Sequence, residues 1–165
     1  AVPVEKVDDS IRHLAKDMLE TMYDSNGLGL AAEQVGRTEA ICVIDLPENL
    51  DLDEATGKRL NPGINMPIIM LNPVIVKMEG EQVGQEGCLS FPEIFVAIKR
   101  AAQVELKFMD IAGKQETMTA RALLARTVQH EVDHLNGILL VNRMSPVQKL
   151  SVAGKLKKLK KMNAK

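Results

Sequence analysis

"VQHEVDHLNG", residues 128–137, decides how the rest of the chain is read. It holds His130 and His134, two of the three histidines in the protein, with Glu131 between them. Residues four apart on a helix share a face, so both imidazoles can address one ion while Glu131, about 100° round, reaches its edge. The pattern from Arg121 to Asn136 is helical, and Gly137 supplies a stop. Two histidines could instead satisfy a polar core, but their spacing around a glutamate favours metal binding. The fold is therefore expected to be built round this helix.

Upstream of it the pattern is mostly that of strands. "AICVIDL" (40–46), "IIMLNPVIVKM" (68–78, broken by Pro73), "IFVAI" (94–98) and "AQVELKFMD" (102–110) read as β-rich runs. "DIAGK" (110–114) reads as a hairpin turn leading into residues 115–120. Residues 47–66, with Pro47, Gly57, Pro62 and Gly63 among polar residues, read as a long surface loop. At the start, Ile11, Leu14, Ala15, Met18, Leu19 and Met22 recur at helical spacing behind Asp8, Asp9 and Ser10, which offer N-terminal caps. His13 falls on the polar side of that helix and reads as solvated surface. After Pro146 a lysine-rich helix begins. The expected class is α+β: mostly antiparallel strands around a central metal-binding helix, with an N-terminal amphipathic helix and a basic C-terminal helix over 146–165.

Composition sets the outer limits. At 165 residues, 45% hydrophobic and 26% charged, the chain suits one domain over 1–165 with one core, expected to be a monomer. Its apolar runs are too short to span a bilayer, and no secretory leader is visible in it. Two cysteines, Cys42 and Cys88, are too few for a disulfide framework and suit a reducing cytosol. Cys42 lies in a strand pattern and reads as a small buried residue. Net charge is −1, yet residues 135–165 carry eight Lys and Arg and no acid, which leaves −9 on residues 1–134. Such a tail can face nucleic acid, but the plainer reading is a solvated helix.

Two histidines do not complete a metal site. A downstream third ligand is closed off, since no Asp or Glu follows Asp133, and Leu140 stands where the longer zinc-peptidase pattern needs histidine. The best upstream candidate is Cys88 in "QEGCLSFP", with Gly84, Gly87 and Pro92 supplying turn chemistry around it. A thiolate and two imidazoles leave one position open for water, whose pKa falls on the ion, and Glu131 is placed to take and return its proton. Hydrolysis of an amide or ester is implied. In "GLGLAAEQVG" (27–36) the spacing fits no phosphate loop. It suggests close backbone packing, with the Gln34 amide and a backbone N–H beside the cysteine available to a developing oxyanion. A zinc endopeptidase and a non-catalytic metal-binding module remain open on these residues.

Taken together, "GLGLAAEQ" (27–34), "EGCLS" (86–90) and "QHEVDHLNG" (129–137) resemble, in order and content, the three motifs of the peptide deformylases. The resemblance implies removal of the formyl group from N-terminal formylmethionine of nascent proteins in a bacterial cytoplasm or an organelle. It implies one divalent ion per chain, Fe2+ natively, with Zn2+, Ni2+ or Co2+ as replacements in preparations. It places the ligands on Cys88, His130 and His134, the general acid/base on Glu131, and the oxyanion donors on the Gln34 amide and the Leu89 N–H. Gly29 would lie beside the substrate, Arg100 would pair with Glu86, and Leu124, Thr127 and Val128 would form the pocket for methionine. The basic C-terminal helix would be available to the ribosome. Two departures stand out: Glu33 occupies a position where the family's first motif normally has proline, and the 47–67 loop is longer than in compact members.

Overall fold

The computed structural model describes residues 1–88 and 91–163, with side chains at all of these except 88, 91–94, 156 and 159–163. Helix α1 spans Asp9–Asp24 and is capped by Asp8, whose carboxylate accepts from the Ile11 N–H at 3.0 Å. Its buried stripe is Ile11, Leu14, Ala15, Met18 and Met22, while His13 on the other side is exposed. The strands are β1 Gly29–Ala31, β2 Ile41–Ile44, β3 Ile68–Glu79, β4 Gln82–Cys88, β5 Phe91–Arg100, β6 Gln103–Met109 and β7 Gln115–Arg121. Helix α2 spans Ala122–Leu135 and α3 spans Pro146–Asn163. The α+β class and its antiparallel pairing are as the sequence pattern implies.

Five strands form one antiparallel sheet in the order β1-β2-β3-β6-β7, and β4 and β5 form a separate hairpin. Strand β2, "ICVI", is buried at every position because a helix covers each face of the sheet. Ile41 and Val43 turn to α1, where they pack with Leu14, Met18 and Met22. Cys42 and Ile44 turn to α2, where they pack with Leu124, Ala125, Val128 and Val132. The alternation that a half-solvated strand would show is therefore absent. Full burial of each such aliphatic side chain stabilises the fold by roughly 1.5–3 kcal/mol.

Three expectations need correcting. Pro73 does not break its strand: β3 runs unbroken for 12 residues, and the imino acid sits at a register shift between Leu71 and Val74, where the ladder lacks regular partners. Asn72 beside it has φ 53°, and its amide exchanges hydrogen bonds with the Val4 backbone N–H and C=O, both at 2.7 Å. Residues around Gly84 and Gly87 are not a turn but strand β4. The glycines are there for space: a Cβ at Gly84 would lie 2.9 Å from the Arg126 guanidinium carbon, and one at Gly87 would lie 3.0 Å from the Phe95 ring. The 47–66 segment is not wholly a surface loop either, since Asp51 and Asn61 are both 1% exposed. The Asn61 amide donates to Asp51 and to the Arg121 carbonyl and accepts from the Arg121 N–H, which pins the loop to the start of α2.

Candidate active site

The helix α2 carries its chemistry on the face turned to β1 and to the β4–β5 hairpin. His130 Nδ1 donates to Glu86 of β4 at 2.8 Å, and His134 Nδ1 donates to Glu33 at 2.8 Å. Ionised carboxylates only accept, so both rings carry their proton on Nδ1 and leave Nε2 free. The two Nε2 atoms face each other at 3.1 Å. Two lone pairs at that distance repel unless a cation, either a shared proton or a metal ion, lies between them. Two nitrogens each about 2.05 Å from one tetrahedral ion would stand about 3.3 Å apart, so the spacing fits a metal. Among the described residues no group of three or more His, Cys, Asp or Glu gathers as a metal site. The expected third ligand, Cys88, has its side chain outside the described residues. Its backbone ends β4, two residues or about 7 Å of strand beyond Glu86.

Glu86 is held as firmly as it holds His130. It accepts from Arg100 Nε at 2.9 Å and Nη2 at 2.7 Å, and from Arg126 Nη1 at 2.6 Å. Burial by itself would raise this carboxyl, but the hydrogen bonds and charges of Arg100 and His130 outweigh it and hold the pKa at about 2. Arg100 also binds Asp133, which in turn accepts twice from Arg143. The hairpin is thus tied to α2 by charge-assisted bonds in a mostly enclosed space. The expected Arg100–Glu86 pair is present; Arg126 and Asp133, which complete it, carry no sequence signal beyond being charges on the inward face of an amphipathic helix.

Glu131 lies 3% exposed, and among the described residues its Oε2 has no hydrogen-bond partner. Burial raises its pKa to about 7, helped by the Glu33 and Glu86 charges and opposed by His130. A carboxyl that is half protonated near neutrality is suited to move a proton in either direction. Gly29 of β1 sits against it so closely that a Cβ there would lie 3.0 Å from Glu131 Cγ and Oε1. The turn after β1, a 3-10 helix over Ala32–Val35, presents Gln34. Its Oε1 accepts from the Ala31 N–H at 2.8 Å, which leaves the side-chain NH2 free to donate elsewhere. Leu89 lies outside the described residues. Leu124 and Val128 are fully buried in the core, and Thr127 gives its hydroxyl to the Leu123 carbonyl at 2.8 Å.

With this geometry in hand, comparisons with known proteins converge. The polypeptide deformylase family model matches residues 1–150. A peptide deformylase of Neisseria gonorrhoeae is 45% identical over 161 residues, which cover 98% of this chain and 88% of that one. The crystal structure of a peptide deformylase from Ehrlichia chaffeensis superposes with a TM-score of 0.84 at 36% identity, covering 100% of this chain and 91% of that one. A peptide deformylase from Synechococcus elongatus in complex with actinonin gives a TM-score of 0.78 at 37% identity, with coverages of 96% and 78%.

Proposed function

The chain belongs to the polypeptide deformylase family, a family of metal-dependent hydrolases that remove the formyl group from the N-termini of nascent polypeptides, and from that premise we propose how its own residues perform the reaction. His130, His134 and Cys88 hold one divalent ion, natively Fe2+, and formylmethionyl N-termini are the substrate. When bound, the ion polarises the formyl carbonyl and makes water acidic enough to act as nucleophile near neutral pH. The observation that carries this reading is the facing pair of Nε2 atoms 3.1 Å apart beside a buried carboxyl, one oxygen of which has no partner among the described residues.

Glu131 takes the proton of the attacking water and passes it to the amine as the formyl C–N bond breaks, giving formate and a free N-terminus. The free NH2 of Gln34, together with the Leu89 backbone N–H, donates to the oxygen that becomes negative in the tetrahedral intermediate. Gly29 keeps Glu131 in place and leaves the substrate room along β1. Leu124 and Val128 have no exposed surface, so with Thr127 they back the methionine pocket from the core side of α2. Exposed Lys149, Lys155, Lys157 and Lys158 on α3 offer a basic face to the ribosome. No helix among the described residues is long and apolar enough to cross a membrane.

The test is formate release from a short formyl-methionyl peptide by anaerobically iron-loaded protein, beside a Glu131→Ala control with its metal content measured. The control should bind metal yet lose roughly 10²–10⁴ in rate, the range for general acid–base catalysis. A metal-replete control that turns over like the parent would remove Glu131 from the mechanism.

A further inference from the structure

We propose that Glu33 is a positioning residue for the imidazole of His134, an inference that rests on His134 being a metal ligand. Each histidine of the pair has its own carboxylate on Nδ1, at the same 2.8 Å, but the two carboxylates differ in kind. Glu86 is buried and shared among Arg100, Arg126 and His130. The Glu33 side chain is 44% exposed, and among the described residues its only hydrogen-bond or ion-pair partner is His134. Nothing else in the described structure accounts for its orientation. Glu33 is also the neighbour of Gln34 in the short 3-10 turn after β1, so its contact ties the turn that presents the Gln34 amide to the last turn of α2.

The physical consequence follows from the acceptor. A carboxylate on Nδ1–H fixes the tautomer, stops rotation of the ring and makes Nε2 a stronger donor to a cation. Removing it leaves the ring free to exchange tautomers and turn, with water as a weaker acceptor. Because Glu33 is half exposed, its loss strands no buried charge, and the fold should not suffer.

Two measurements on one set of proteins test this. The first titrates metal-free protein with Co2+ or Zn2+ against a competing chelator, following the visible bands of bound Co2+. The second records the imidazole nitrogen resonances of the metal-free protein by NMR. Glu33→Ala should bind metal roughly tenfold more weakly, the low end of what such partners contribute, and should convert His134 from the Nδ1–H tautomer to a mixture, with unchanged thermal unfolding. Glu33→Gln, whose side-chain carbonyl can accept the same N–H, should recover most of the affinity and the tautomer. If Glu33→Ala keeps both parental affinity and tautomer, while His134→Ala loses the metal, the positioning role is overturned and the ligand assignment stands. If His134→Ala binds metal like the parent, the ligand assignment fails and this inference falls with it.

Discussion

At the scale of single residues, the contact between Gly29 and Glu131 is the most exacting in the site. The Glu131 carboxyl has one oxygen with no partner among the described residues and another that a Cβ at Gly29 would approach to 3.0 Å. A methyl group there must push the carboxyl aside, because strand β1 is paired to β2 at this position and cannot retreat freely. Displacing a proton-transfer group by even 1 Å can cost about 10²-fold in rate. Gly29→Ala should therefore lower kcat for formyl-peptide hydrolysis at least tenfold while metal content stays at parental level. A variant with normal kcat would show that the carboxyl has room to move and that Gly29 does not hold it. Gln34 offers a second residue-level test. With Oε1 engaged by the Ala31 N–H, only its NH2 is available to a substrate oxygen. Gln34→Leu should lower kcat by roughly 10²–10³, the loss typical of one oxyanion donor, with a smaller change in KM. An equal loss in 1/KM with constant kcat would point to ground-state binding instead.

At the scale of elements, the β4–β5 hairpin and α2 are joined through Glu86. Its folded pKa of about 2 lies below the ordinary 4.5, so ionised Glu86 stabilises the folded state above pH 4.5, and that stabilisation is lost as pH falls toward 2. The gap corresponds to on the order of 3 kcal/mol. Urea unfolding midpoints measured from pH 6 down to pH 2.5 should fall steeply below 4.5. In Glu86→Gln, which strands Arg100 and Arg126 beside a neutral amide, stability at neutral pH should drop by about 3–5 kcal/mol, with a flatter acid limb. Parallel acid limbs in the two proteins would refute the assignment. This junction also shows what could be read before folding. The histidine helix announces itself by period and spacing, and α1 by its stripe and cap, because both signals are local. Strand β4 does not, since Gly84 and Gly87 are set by an arginine and a phenylalanine from other elements, and in sequence such glycines look like turns. Asp51 and Asn61 were hidden for the same reason: Asn61 is held by the backbone of Arg121, 60 residues beyond it, and Asp51 is bonded in turn to Asn61. Glu33 reads only as a departure from the family's first motif until the fold brings it to His134, 101 residues away.

At the scale of the whole molecule, apolar burial and charge are segregated. Among the described residues, the sheet between α1 and α2 holds two of the three buried apolar clusters, and the third lies where Val96 and Ile98 of β5 meet Leu140, Met144 and Val152. Among its described side chains, helix α3 touches the rest there through Val152 and through the Gln148 amide, which donates to the Ala97 carbonyl at 2.6 Å. Its described lysines, Lys149, Lys155, Lys157 and Lys158, are exposed, opposite in sign to the −9 carried by residues 1–134. A helix so strongly charged is suited to long-range attraction of an oppositely charged partner. Truncation after Ser145 removes the Gln148 hydrogen bond and the Val152 contact, which among the described residues are together worth about 1–2 kcal/mol of stability. It should leave hydrolysis of a short formyl-methionyl peptide within about twofold, since no residue assigned to the chemistry lies beyond His134. Co-sedimentation with ribosomes at low salt should be lost on truncation, and for the intact chain it should weaken steeply as salt is raised, because phosphate contacts release counterions. Unchanged co-sedimentation of the truncated protein would place ribosome contact elsewhere on the surface, and would leave α3 as a cover for the β4–β5 hairpin alone.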